Sequence, residues 1–194
     1  MPARELRRKL FHIVLGTAFL MALSALPSLM YGALVLFFAG TALSFFHSRR
    51  PISIVGWVLS RFDREGDRLP GMGIITFFLG VLLVWTIFPR DIAMIGTMVM
   101  TFGDPMASVV GITLGSHPCP YNRKKTVEGT AAFVLTAFAV LLPMFGPAAA
   151  SAGAVGGALV ESFAHPRGSI VNDNVTVPLG ASAAAYLVTA AFGL

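Results

Sequence analysis

A basic loop in the second half of the chain has residue types that could hold phosphate groups. Arg123, Lys124 and Lys125 supply three adjacent positive charges, and Thr126 adds a hydroxyl group. Gly129 lies at the start of a predicted helix, whose free backbone N–H groups could bind an anion. The GxxxxGK[ST] spacing of a Walker A loop is not present. Taken alone, such a loop is better explained as one that orients a membrane protein.

A carboxylate inside an apolar run is a second candidate for chemistry. Asp104 is followed by Pro105, which would break the helical hydrogen-bond ladder, so a discontinuous helix with Asp104 at the break is predicted. A charge at membrane depth costs about 2.5–3.5 kcal/mol, which favours a functional role over a structural helix cap. Ala107, Gly111 and Gly115 follow at helical spacing and would let another helix or a ligand approach the backbone.

Further acidic residues are predicted to project to the same side of the membrane. Glu161 lies near a helix end with His165 on the same face, and Asp173 and Asn174 precede the last helix. Each has a structural explanation, as an interfacial pair or as an ordinary helix cap. Together with Glu128 and the basic loop, however, they place acidic groups for Mg²⁺ beside cations for phosphate. Phosphoryl and nucleotidyl transfer require that arrangement.

Two other segments could complete such a site. Arg8 and Lys9 stand about one helical turn before His12. These residues could contact a phosphate or substrate, or could equally be a topogenic cluster with one buried histidine. Gly71 and Gly73 could form a simple turn, or could let a ligand approach the backbone closely.

Composition requires a membrane around these residues. The chain is 56% hydrophobic and 12% charged, whereas a soluble domain carries about 25% charged residues. We therefore expect one all-α membrane domain over residues 1–194, a polytopic bundle with no separate soluble domain. A short helix in the membrane interface is predicted between residues 51 and 68. Seven spanning helices are predicted, at residues 10–27, 29–46, 71–88, 91–113, 130–146, 148–165 and 176–193.

The basic residues divide unequally between the two sides of this arrangement. Thirteen of the 14 lysines and arginines fall on the side of the N-terminus, and Arg90 alone falls on the other. Because cytoplasmic loops carry an excess of Lys and Arg, the N-terminus and the candidate site are predicted to be cytoplasmic. The C-terminus is predicted to lie on the opposite face.

The same segments, in the same order, resemble the CTP-dependent polyprenol kinase family, which contains dolichol kinase, phytol kinase and the yeast-type diacylglycerol kinase. The part that runs from Asp104 to Gly129 is also similar to phosphatidate cytidylyltransferases. The resemblance rests on Arg8-Lys9-x-x-His12-x-x-x-Gly16, Pro70-Gly71-x-Gly73, Phe78-Leu79-Gly80, Gly103-Asp104-x-x-Ala107-x-x-x-Gly111-x-x-x-Gly115, Arg123-Lys124-Lys125-Thr126-x-Glu128-Gly129, Glu161 and Asp173-Asn174-x-x-x-Pro178.

The resemblance implies a kinase that transfers the γ-phosphate of CTP to the hydroxyl of a membrane lipid alcohol, with Mg²⁺ or another divalent cation. The expected partners are CTP, the lipid alcohol and the bilayer, without nucleic acid, and a homodimer is left open. The predicted catalytic residues are Asp104, Glu161 and Asp173. Glu161 would orient or deprotonate the hydroxyl, unless it exchanges roles with Asp104. The predicted metal ligands are Asp104, Asp173 and Asn174. The predicted nucleotide contacts are Arg123, Lys124, Lys125, Thr126, Glu128 and Gly129. The remaining candidate contacts are Arg8, Lys9, His12, Gly71 and Gly73.

Two alternative functions stay open from the sequence. A cytidylyltransferase would take phosphatidate, make a CDP-lipid and release pyrophosphate. An ion-coupled transporter would also place a carboxylate in a broken helix. A transporter, however, predicts an internal repeat and a polar path to the far side of the membrane, and the sequence shows neither.

The predicted topology can be tested at the single cysteine. Cys119 lies in the segment 115–129, which is predicted to be cytoplasmic. A thiol reagent that does not cross membranes should therefore fail to label Cys119 in intact cells. Efficient labelling from outside would contradict this topology.

Overall fold

The chain folds as a bundle of helices with one small β-hairpin. The computed structural model describes residues 3–26, 28–59, 63, 69–163 and 171–193. The predicted all-α membrane class is confirmed. The elements are α1 (Ala3–Ala25), α2 (Leu29–Arg49), α3 (Ser53–Leu59), α4 (Met72–Ile87), α5 (Arg90–Met98), a π-helical turn (Val99–Gly103), α6 (Asp104–Thr113), β1 (Pro118–Cys119), β2 (Asn122–Thr126), α7 (Val127–Ser162) and α8 (Asp173–Phe192).

Most of the helical segments are long and apolar enough to cross a membrane. Helix α4 is apolar but shorter, with 16 residues. Helix α3 falls within the interfacial segment predicted between residues 51 and 68. Most of that segment after α3 lies outside the described residues. Five candidate spans are found in the described part of the chain: Glu5–Ala25, Met30–Arg49, Arg90–Thr113, Val127–Ser162 and Asp173–Phe192.

Helix α7 is folded back on itself and supplies two segments. Gly146 has φ 71° and ψ 172°, a conformation that glycine adopts without steric cost. A Cβ on Gly157 would lie 3.1 Å from the Phe133 ring. In a straight helix these residues would be about 36 Å apart, at 1.5 Å per residue. The two arms are therefore antiparallel, which confirms separate helices over 130–146 and 148–163. The predicted end of the second arm, at residue 165, lies outside the described residues.

The predicted break at Asp104 is wrong. Asp104 has helical backbone angles (φ −60°, ψ −44°), and residues Arg90–Thr113 run on as one helix. The irregularity is instead the π-helical turn Val99–Gly103, one residue before Asp104. Because Pro105 has no N–H, the regular bond to Thr101 cannot form, and the helix widens rather than ending.

Helix α8 is packed backbone to backbone against α4 and α5. A Cβ on Gly80 would lie 2.0 Å from the carbonyl oxygen of Asn174, and one on Gly96 would lie 2.5 Å from that of Pro178. Only glycine allows such a close approach of two helices. The contact at Gly80 brings the first turn of α8 against α4.

The basic loop is a strand rather than a loop. β1 and β2 form an antiparallel pair in which Cys119 is opposite Asn122. Arg123, Lys124 and Lys125 all belong to β2, directly before α7. The small residues Ala107, Gly111 and Gly115 pack against the end of this strand and the start of α7. A Cβ on Gly115 would lie 2.7 Å from the Thr126 side chain. A Cβ on Gly129 would lie 2.8 Å from the carbonyl oxygen of Ala107.

A better test of topology than Cys119 follows from the fold. Cys119 is 4% exposed, so its failure to react would say little about its side of the membrane. Tyr121 is 61% exposed and Phe192 is 74% exposed. The two arms of α7 and helix α8 lie between them, so three crossings place them on opposite sides of the membrane. Each can be replaced by cysteine in a protein whose Cys119 has been changed to alanine. An impermeant maleimide should label position 192 in intact cells and position 121 only after permeabilisation. The reverse pattern would overturn the orientation.

Candidate active site

A lysine and an aspartate form a buried ion pair between α1 and α6. Lys9 Nζ donates to Asp104 Oδ2 at 2.7 Å, and each side chain is only 4% exposed. The second oxygen, Asp104 Oδ1, is buried and has no hydrogen-bond partner among the described residues. A buried acceptor without a partner costs about 1–3 kcal/mol, and more when it is charged. Asp104 Oδ1 is therefore ready to accept a donor or a cation.

The spacing of the N-terminal residues docks α1 on the π-helical turn. His12 Nε2 lies 3.1 Å from the carbonyl oxygen of Met100, and the His12 ring meets the edge of Phe77 at 5.2 Å. One turn further, a Cβ on Gly16 would lie 2.4 Å from Thr101 Oγ1. Residues 9, 12 and 16 lie on one helix face, so this face carries the ion pair, the histidine contact and the close approach together.

A cavity opens beside this ion pair, between α1, α4 and the start of α8. It encloses about 680 Å³ of empty space, including its open mouth. Its polar lining is formed by Arg8, Lys9, His12, Asp63, Asp104, Asn172 and Asn174. Its apolar lining is formed by Phe11, Leu15, Ile74 and Phe77. A cavity that combines a few polar groups with apolar side chains is a candidate small-molecule site.

Asparagines at the start of α8 connect the cavity to α4. Asn174 Nδ2 donates to the carbonyl oxygen of Gly73 and to Thr76 Oγ1, each at 3.0 Å. Asn172 caps α8 by accepting from the N–H of Asn174, and its Nδ2 donates to Thr76 Oγ1 at 3.1 Å. Asn172 and Thr76 were not predicted as site residues. The sequence feature that could have identified Asn172 is its position as an N-cap residue directly before α8.

The glycine turn before α4 has a structural explanation. Gly71 has φ 75°, a left-handed conformation that favours glycine, and its N–H donates to Asp63 Oδ1 at 2.8 Å. Gly71 does not line the cavity, whereas Gly73 and Asp63 do. Of the two predicted glycine contacts, the cavity therefore includes one.

A second lysine, just before α7, lies among carboxylates from the end of α7 and the start of α8. Lys125 Nζ donates to Glu161 Oε1 and lies 3.6 Å from Asp173 Oδ2. Glu161 is only 2% exposed. Burial lowers the pKa of Lys125, but the carboxylates of Asp173 and Glu161 outweigh burial and raise it above its usual value. Lys125 therefore stays charged, and its charge also acts on Asp104.

The other residues of the predicted nucleotide loop are not gathered around Lys125. Arg123 and Lys124 are exposed on β2. Thr126 Oγ1 caps α7 by accepting from the N–H of Gly129 at 3.2 Å, so the N–H predicted for phosphate has a protein partner. Glu128 accepts from His117, at 2.6 Å from its Nδ1. Thr126, Glu128 and Gly129 thus shape the turn from β2 into α7.

The predicted shared metal site of Asp104 and Asp173 stays a prediction. The two aspartates pair with different lysines, and no group of three or more His, Cys, Asp or Glu side chains is placed to hold a metal in the part of the chain that the structure describes. Mg²⁺ needs only one or two carboxylates when waters and phosphates complete its shell. Asp173 and Glu161, which lie on either side of one lysine, have the chemistry for such a site.

Comparison with known proteins finds both uncharacterised and named relatives. The chain is 34% identical over 148 residues to an uncharacterised protein of Methanocaldococcus jannaschii, with 74% of each chain covered. It is 29% identical over 205 residues to probable phytol kinase 1 of Glycine max, covering 93% of this chain and 66% of the relative. It is 29% identical over 82 residues to CTP-dependent diacylglycerol kinase 1 of Schizosaccharomyces pombe, covering 42% of this chain and 38% of the relative.

The chain belongs to the CTP-dependent polyprenol kinase family. The relatives with named activities are kinases of lipid alcohols, so this is a family of phosphotransferases with an alcohol group as acceptor. The match extends over about two thirds of the length of the plant relative. No family model matches the chain, and no solved structure matches it.

The buried pair predicts a specific pattern of stability. Lys9→Met leaves the Asp104 charge buried without a partner, which should lower the free energy of unfolding by about 3–5 kcal/mol. Arg7, an exposed cation of the same helix, serves as the control, and Arg7→Met should change stability by no more than about 0.5 kcal/mol. The double substitution Lys9→Met, Asp104→Leu should recover most of the loss. The free energy of unfolding of all three variants can be measured in detergent. Equally small losses of stability in Lys9→Met and Arg7→Met would contradict a buried ion pair between Lys9 and Asp104.

Proposed function

We propose that this chain is a CTP-dependent kinase that transfers the γ-phosphate of CTP to the hydroxyl of a membrane lipid alcohol. The observation that carries the proposal is Asp104, a buried carboxylate. One of its oxygens has no hydrogen-bond partner among the described residues, and it lies in a cavity that is polar at one end and apolar at the other. A lipid alcohol has the matching shape, a hydroxyl at the end of a hydrocarbon chain. Family membership supplies the reaction type.

The relatives support a donor and an acceptor class. CTP dependence is named for the fission yeast relative, which aligns with 42% of this chain. The phytol kinase relative aligns with 93% of the chain. We therefore propose CTP as the phosphoryl donor and an isoprenoid alcohol, rather than a diacylglycerol, as the acceptor.

The Lys125 group has the charges that a nucleotide triphosphate with Mg²⁺ needs. Lys125 would bind phosphate oxygens, and the exposed Arg123 and Lys124 would bind the more distant ones. Asp173 and Glu161 would hold the metal, with Asn174 beside them. When bound, Mg²⁺ neutralises charge on the phosphates. Lys125 offsets part of the negative charge of these two carboxylates.

Catalysis in this site would consist mainly of positioning. Phosphoryl transfer needs an acceptor oxygen in line with the γ-phosphorus and little covalent help from the protein. The lipid alcohol would enter from the bilayer between helices, and the nucleotide would enter from the cytoplasm.

A product assay tests the donor and the reaction. Purified protein with γ-labelled CTP, Mg²⁺ and farnesol or phytol should give a labelled lipid phosphate and unlabelled CDP. ATP at the same concentration should support a slower reaction. Labelled pyrophosphate together with a CDP-lipid made from phosphatidate would instead establish the cytidylyltransferase alternative.

Substitution of Asp104 tests its part in the reaction. Asp104→Asn keeps the shape but removes the charge, and should slow turnover at least about 10²-fold, or ~2.7 kcal/mol. If Asp104 were only a helix cap, asparagine would serve nearly as well. The matched control is Asp91→Asn, an exposed aspartate of the same helix, which should keep near-normal turnover. A folded Asp104→Asn protein with normal turnover across a Mg²⁺ titration would remove Asp104 from the site.

A further inference from the structure

We infer that the cavity between α1, α4 and the start of α8 is the acceptor site, and that the alcohol hydroxyl donates its hydrogen bond to Asp104 Oδ1. This inference rests on the proposed function and adds the position, orientation and shape of the acceptor. It also decides between Asp104 and Glu161 as the residue that contacts the hydroxyl.

The two carboxylates differ in what they can still accept. Asp104 Oδ2 is taken by Lys9, while Oδ1 is buried, lies at the cavity and has no partner among the described residues. Glu161 contacts Lys125 and does not line this cavity. A hydroxyl is a neutral donor that satisfies one buried acceptor without adding charge. Asp104 is therefore the better partner for the alcohol, and Glu161 remains with the nucleotide group.

The apolar end of the cavity fixes the direction of the lipid chain. Phe11 and Leu15 of α1 face Ile74 and Phe77 of α4 across it. The outer face of α1 is apolar and uncovered, since Val14 is 66% exposed. A chain that leaves the cavity between α1 and α4 thus passes from apolar side chains directly into the bilayer.

This lining favours an acceptor with a single hydrocarbon chain. Phe11, Leu15, Ile74 and Phe77 offer no side-chain hydrogen-bond donor or acceptor. The portion of the substrate that contacts these four side chains should therefore be hydrocarbon, because an unpaired polar group buried there would cost free energy. A diacylglycerol would carry two ester groups into the same region. A prenol or phytol-type alcohol carries none.

In the transfer step, Asp104 orients the acceptor hydroxyl. The alcohol oxygen attacks the γ-phosphorus of CTP, the bond between that phosphorus and the bridging oxygen to the β-phosphorus breaks, and CDP leaves. The hydroxyl proton ends on an oxygen of the transferred phosphate as the new O–P bond forms. Lys9 Nζ, 2.7 Å from Asp104 Oδ2, fixes the orientation of the carboxylate and is a positioning residue.

A matched pair of substitutions on α1 tests the site. Leu15→Trp fills the apolar end of the cavity, whereas Val14→Trp adds the same side chain on the adjacent exposed face. Leu15→Trp should raise the KM for farnesol about tenfold or more and leave the KM for CTP within about twofold. Val14→Trp should change neither. An unchanged farnesol KM in Leu15→Trp, or a raised KM for CTP instead, would overturn the inference.

Photocrosslinking tests binding on the unmodified chain without catalysis. A farnesol analogue with a diazirine in its chain, irradiated without nucleotide, should label residues 11–15 and 72–77, and unlabelled farnesol should compete. This labelling without phosphorylation of any alcohol would refute the proposed function and support the acceptor site. Phosphorylation with labelling confined to other helices would overturn the acceptor site and leave the proposed function standing.

Discussion

A lysine and a carboxylate can share a buried position in an apolar bundle only if they face each other closely, because each charge loses its water. Lys9 and Asp104 meet this condition at 2.7 Å, across 95 residues of sequence. The contact holds one face of α1 against the helix that contains the π-helical turn. The cavity wall and the orientation of Asp104 Oδ1 both depend on it.

Close backbone packing gives this pair a rigid surrounding. Gly80 and Gly96 let α4 and α5 approach α8 more closely than any other residue would allow. That approach sets Asn174 beside Gly73 and Thr76, so hydrogen bonds to α4 hold this part of the cavity lining in place. Lys125 connects two helices in a similar way, because Glu161 lies at the end of α7 and Asp173 at the start of α8. Charged groups thus occur in this bundle where helices from distant parts of the chain meet.

Local patterns in the sequence predicted the helices well and their contacts poorly. Hydropathy located the crossing segments, and the predicted boundary between residues 146 and 148 coincides with the turn at which α7 folds back. Asp104 was identified as a candidate because a charge in an apolar run is unusual, and Lys9 only as one of several N-terminal contacts. Their pairing could not be predicted, since no local pattern connects positions 9 and 104. Pro105 predicted an interruption, but whether a helix ends or widens depends on what packs against it, here His12 on Met100.

Infrared spectroscopy of the Asp104 carboxylate tests the central claim most directly. The Asp104 band is identified by subtracting the infrared spectrum of Asp104→Asn from that of the unmodified protein, both recorded without nucleotide. Farnesol should shift this band, because its hydroxyl donates to Oδ1. Farnesyl methyl ether has the same chain without the donor and should leave the band in place. No shift with farnesol, or an equal shift with the ether, would contradict a direct hydrogen bond between the acceptor and Asp104.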